Sequence, residues 1–168
     1  MPAQAAAPTL PRFNTFDGRA PDTHSPRVSF RIHAFEGFKV VGDNSAAQTV
    51  MVVDDSDDVR ELIVLQLRLS GYKVFEAKNG QEAVEMARSA RPSLILMDIN
   101  MPVLDGLAAT RLLREVKEMC HTAIVAFSAF SSGDNRQLAI DAGCNEYVNK
   151  TESISHLLSI VERHLRPA

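Results

Sequence analysis

The sequence holds only two cysteines, Cys120 and Cys144, with no Cys-x-x-Cys pair and no histidine nearby at zinc-finger spacing. That excludes a disulfide framework and a structural zinc site, and the two thiols read as reduced and structural. No apolar run approaches the ~18 residues a membrane span requires, because Arg, Lys, Gln or Asp breaks every stretch. Charge of one sign is also missing. Eighteen basic residues face 21 acidic ones, for a net charge of -3 and a pI near 5.9. So weak a balance gives the chain as a whole no electrostatic footprint for nucleic acid or anionic lipid. The first residues, MPAQAAAPTLPRF, lack a basic leader followed by an apolar segment, so a cytoplasmic protein is expected. The five histidines share no metal-binding spacing, and none reads as a phosphodonor.

What is present fits one ordinary domain with an appendage: 168 residues, 45% of them apolar. Residues 1–47 carry five of the eight prolines and few long aliphatics, so a flexible extension is expected there. Val28-Ser29-Phe30-Arg31-Ile32-His33 alternates as a short strand would. From Gln48 the texture changes, and residues 48–168 read as the folded domain. Short apolar runs now alternate with segments of helical period. Strands are expected at 49–53, 72–77, 94–97, 123–127 and 147–148, and helices at 56–70, 79–90, about 107–119, about 135–142 and 154–165. On the first helix Val59, Leu62, Ile63, Gln66 and Leu69 are expected to face inward; on the last, Ile154, Leu157, Leu158, Val161 and Leu165. Unbroken apolar strands must be buried on both sides. With right-handed crossovers this is an α/β three-layer sandwich around a five-stranded parallel sheet.

In an open α/β sheet the functional crevice lies beyond the carboxyl ends of the strands. The first strand runs into Asp54-Asp55, the third into Asp98, the fourth into Ser128 and the fifth into Lys150. Three carboxylates gathered in one small volume raise at least one pKa unless a cation neutralises them. An all-oxygen set suits a hard divalent ion, Mg²⁺ best. An EF-hand loop starting at Asp54 is excluded, because its sixth place holds no glycine and its twelfth is Leu65. A carboxylate beside Mg²⁺ is a competent nucleophile toward phosphorus, and a lysine and a hydroxyl can each take another phosphoryl oxygen.

These residues resemble the receiver (CheY-like) domain of two-component response regulators. The resemblance runs from about Thr49 to Arg166. It rests on Val52-Val53-Asp54-Asp55, on Leu96-Met97-Asp98-Ile99-Asn100-Met101-Pro102-Val103-Leu104-Asp105-Gly106, on Phe127-Ser128-Ala129 and on Tyr147-Val148-Asn149-Lys150. It implies a flavodoxin-like sheet of order 2-1-3-4-5 and makes Asp98 the phosphoacceptor. Asp54 and Asp55 become the Mg²⁺ pair, with Asp98 and the main-chain carbonyl of Asn100 completing the protein's share of the metal site. Ser128 becomes the hydroxyl switch, Tyr147 the aromatic switch and Lys150 the phosphoryl-binding lysine. The implied partners are a sensor histidine kinase or histidine phosphotransfer protein, and an unidentified downstream protein reached through the face of the fourth and fifth helices. Direct DNA binding and membrane contact are not implied. One departure is Thr151, where the family usually has proline, often after a cis bond. A cis Lys-Thr bond would cost about 2.5–4 kcal/mol, so a trans or differently set loop is expected.

With only three residues after Leu165, the expectation is a single-domain response regulator: a phosphoacceptor switch that assists only its own phosphorylation and dephosphorylation. Two rivals stand beside it. An aspartate-nucleophile phosphohydrolase of the haloacid dehalogenase type would carry a second acid at position 100, where this chain has asparagine. A receiver-fold binding module with vestigial phosphorylation would not need the intact set of acids, hydroxyl and lysine. Asp57 and Asp58 are expected in the first helical turn, Asp105 as a turn and cap residue, and Met86, Met97 and Met119 as core filler.

Overall fold

A computed structural model describes residues 48–129 and 133–166. The expected extension 1–47, with its strand-like stretch 28–33, lies outside the described residues. Five strands alternate with five α-helices: β1 (Thr49–Val53), α1 (Asp57–Leu69), β2 (Lys73–Ala77), α2 (Gly80–Ala90), β3 (Leu94–Met97), α3 (Gly106–Glu115), β4 (Ala123–Ser128), α4 (Gly133–Ala142), β5 (Glu146–Asn149) and α5 (Ile154–Leu165). All pairings are parallel and the order is β2-β1-β3-β4-β5, which is the CheY-like fold. Asn79, Asp105 and Ser153 cap α2, α3 and α5 through their side-chain oxygens, as helix-starting residues of these types do.

The strand period of two divides the core cleanly. Val50, Val52, Leu94, Leu96, Val125, Phe127 and Val148 face α1 and α5. Met51, Val53, Ile95, Met97, Ile124 and Ala126 face α2, α3 and α4. With helices on both sides, β3 buries every residue and β1 and β4 all but their first.

The structure corrects the inward face expected for α1. Its buried residues are Arg60, Ile63, Val64 and Leu67, whereas Leu62 and Leu69 are 49% and 56% exposed. On α5 the buried set is Leu157, Ile160, Val161 and Leu165, with Ile154 and Leu158 half-buried at its margin. The helix expected to run to Met119 ends instead at Glu115. Val116 is extended there, and a separate 3-10 turn, Lys117–Met119, brings Met119 fully into the core. Arg114 explains the break, since its guanidinium donates to the carbonyls of Met119, Thr122 and Gly143 and so folds the chain back. Arg91, before Pro92, leaves the helical region for a left-handed conformation and ends α2.

Candidate functional site

The ladder continues one residue past the strand ends, and this sets the acids in place. Asp54 N–H donates to Ala77 O at 3.1 Å and Asp98 N–H to Val53 O at 2.9 Å. Asp54 and Asp98 are thereby buried at the sheet's carboxyl edge, while Asp55 is exposed at the rim. One carboxylate oxygen from each of Asp54, Asp55 and Asp98 lies within 4.8 Å of the other two. Lys150, arriving from β5, puts its Nζ 2.7 Å from Asp98 Oδ2 and 2.7 Å from Asp54 Oδ2. The Lys150 stem is held behind by its N–H on Ser128 O, at 2.8 Å, and its ammonium lies over the Phe127 ring.

Two of the three carboxylates share one ammonium here, and the electrostatics follow. Burial pushes the Asp98 carboxyl up. Lys150 pulls it back only in part, and the charge on Asp54 adds to the rise. Burial alone would lower the Lys150 ammonium, yet its contacts with Asp54 and Asp98 prevail and hold it above the ordinary lysine value. Asp54 Oδ1 accepts Ser56 N–H at 3.0 Å, but Asp54 Oδ2 is buried without a hydrogen-bond partner, its 2.7 Å contact with Lys150 being an ion pair without hydrogen-bond alignment. A buried, incompletely satisfied carboxylate oxygen in an all-oxygen cluster fits a hard divalent ion, and Mg²⁺ suits the few protein ligands available.

The remaining expected residues fall around this cluster. Ser128 is fully buried at the end of β4, and Asn100 Nδ2 donates to Ser128 Oγ at 3.3 Å. Asn100 N–H reaches Asp98 Oδ1 at 3.2 Å. Tyr147, half-buried, stands beside Ala126 in the sheet register and packs against the α2–α4 side. Asp105 caps α3, and Asp57 and Asp58 form the first turn of α1, as expected.

Several supporting residues escape sequence reasoning. Arg60 is buried, donates to the Asp54 carbonyl at 2.8 Å, pairs with Asp57 and lies 3.7 Å from Glu76. Its one signal is an acid three residues earlier on the same helix. Asn149 shapes the turn behind Lys150: its Oδ1 accepts both the N–H and the hydroxyl of Thr151, each at 2.8 Å. No described peptide bond is cis. The Asn-x-Thr turn thus stands where the family's proline would, and its signal is the asparagine's tendency to bond its own backbone two residues on. Gly106 is obligatory, because a Cβ there would sit 2.0 Å from the Asp98 carbonyl oxygen. Between them, Val103 takes a left-handed φ of 71° in a three-residue turn closed by Leu104 N–H on Pro102 O.

Comparison with known proteins agrees with this geometry. The response regulator receiver domain family matches residues 50–162. Curated relatives include the polar-differentiation response regulator DivK of Brucella anthropi, 32% identical over 121 residues that cover 72% of this chain and 98% of that protein. DivK of Brucella ovis is 31% identical over the same span. Among solved structures, chemotaxis protein CheY4 of Vibrio cholerae superposes with a TM-score of 0.69 at 30% identity, covering 71% of this chain and all of that one. The receiver domain of a Pseudomonas aeruginosa sensor histidine kinase, crystallised with a magnesium ion in its active-site cleft, gives 0.66 at 34% identity and covers 70% of this chain and 97% of that one. With acids, hydroxyl and lysine gathered at the sheet edge and a match across most of its length, this chain belongs to the response regulator receiver family.

Proposed function

We propose that the chain is a phosphoacceptor switch, taking a phosphoryl group on Asp98 from the phosphohistidine of a sensor kinase or phosphotransfer protein. One observation carries this reading: Asp98 lies buried at the centre of the site with the Lys150 ammonium at 2.7 Å and two further carboxylates alongside. An Asp98 oxygen attacks phosphorus, the N–P bond breaks, and its electron pair returns to the donor imidazole. The product is an acyl phosphate. Lys150 then follows the charge onto a phosphoryl oxygen, and the Ser128 hydroxyl donates to another. Asp54, Asp55 and the Asn100 carbonyl would hold Mg²⁺, which when bound offsets charge on the transferring group. Water attack on phosphorus returns Asp98 to the carboxylate, so the protein resets itself and turns over no separate metabolite.

Output follows by population shift. With Ser128 drawn toward Asp98, Tyr147 turns inward and the face formed by α4, β5 and α5 changes. A useful switch needs a differential of a few kcal/mol between its two states. The reader of that face is another protein, and the setting is the cytoplasm; among the described residues no helix is long and apolar enough to cross a membrane.

Incubation with Mg²⁺ and acetyl phosphate tests the reading by intact mass. Wild type gains one phosphoryl group and Asp98→Ala gains none. A wild type that stays unmodified leaves the receiver fold acting as a binding module only.

A further inference from the structure

Asn100 reaches both the acceptor and the buried hydroxyl. Its N–H donates to Asp98 Oδ1 at 3.2 Å and its side-chain amide to Ser128 Oγ at 3.3 Å. Asn100 is itself exposed at the mouth, whereas Ser128 is fully buried. An exposed amide normally turns to water, since a net hydrogen bond gains little over solvation. Here it turns inward and bonds the Ser128 oxygen. We propose that Asn100 is a positioning residue that restrains the switch: its amide holds Ser128 Oγ in the resting arrangement, and that bond must break before the hydroxyl can serve a phosphoryl group on Asp98.

The inference rests on the phosphoacceptor reading and adds a sign to it. A bond made only in the resting state opposes capture of the group on Asp98 by its own net worth, because ligand affinity is reduced by the fraction held in the incompetent state. Removing Asn100's amide therefore strengthens capture, and only while Ser128 is there to be released. Were the amide instead to travel with the hydroxyl and help hold the phosphoryl group, removing it would weaken capture.

Beryllium fluoride, which stands for the phosphoryl group, is the probe. Its affinity is measured by calorimetry at saturating Mg²⁺, with saturation established separately for wild type, Asn100→Ala, Ser128→Ala and the double variant. Asn100→Ala is expected to bind about two- to tenfold more tightly than wild type, the range a modest hydrogen bond supports. On the Ser128→Ala background the same change is expected to do nothing. In amide NMR spectra of the free protein, Ser128 and Ala129 should move in Asn100→Ala toward their beryllofluoride-bound positions. Weaker binding, an equal change on both backgrounds, or unmoved resonances would each overturn the proposal while leaving Asp98 as acceptor. A wild type that takes up no beryllium fluoride sinks the phosphoacceptor reading, and this restraint with it.

Discussion

The two faces of the sheet are built from different materials. Toward α1 and α5 the buried core hydrophobics are valine, isoleucine, leucine and one phenylalanine, with no alanine or methionine. Toward α2, α3 and α4 they include six alanines and four methionines. Branched side chains have few rotamers and lock into dense packing, whereas methionine bends to fill irregular gaps. The contrast is sharpest between α5 and α4. The first buries Leu157, Ile160, Val161 and Leu165; the second buries Ala139 and Ala142 and leaves Leu138 and Ile140 exposed. Each large aliphatic contributes about 1.5–3 kcal/mol and each methyl about 0.8, so α5 is anchored several-fold more firmly. One side of this protein is a foundation, and the other is compliant.

The largest effect is expected on the firm side. Ile160→Ala should cost about 2–5 kcal/mol in urea unfolding, while leaving the Asp98 site of the folded fraction intact. Amide hydrogen exchange probes the contrast without mutation: α4 should open with a free energy at least about 2 kcal/mol below that of α5, and equal protection would abolish the distinction. On the compliant side, Met119→Leu keeps volume and should cost under about 1.5 kcal/mol. A loss as large as that of Ile160→Ala would mean this face is packed as tightly as the other.

The smallest expected effect lies at the rim of α5, where Arg163 and His164 both bond Glu146. Partial burial works to raise the Glu146 carboxyl, but these two partners hold it below the ordinary glutamate value. A carboxyl with a depressed folded-state pKa stabilises above its unfolded pKa and loses that contribution as pH falls through the folded one. Glu146→Gln should therefore cost under about 1 kcal/mol at neutral pH. The gap to wild type should close on acidification through and below the ordinary glutamate range.

The difference between the faces also explains what could be read beforehand. β1, β3 and β4 announce themselves as apolar runs, and each ends on a polar residue of the cluster, so Asp54, Asp98 and Ser128 were legible by position. α5 has one clear apolar stripe, and its bounds match expectation. α1 does not: Val59, Leu62, Ile63, Val64, Leu65, Leu67 and Leu69 nearly encircle it, so period alone cannot choose a face. Arg60 accompanies the observed rotation: buried, it bonds the Asp54 carbonyl and lies 3.7 Å from Glu76 on β2, besides pairing with Asp57 on its own helix. Bonds from side chains to backbone carbonyls leave no pattern in sequence. For that reason Arg60 and Arg114 emerge mainly from the fold, whereas Asn149, which accepts from Thr151, left only its turn-forming tendency as a signal.

Gly106 has a mechanical consequence. Its N–H closes on Ile99 O, and its missing side chain lets α3 begin in contact with the Asp98 carbonyl. The segment from Asp98 to Gly106 is accordingly a closed buckle rather than a slack strap. At the far side α3 is riveted to the entrance of β5, through Thr110 on Cys144 and Arg114 on Gly143 and Asn145. Contacts therefore run without a break from the Asp98 carbonyl along α3 to the entrance of β5, the strand that bears Tyr147 and leads into Lys150.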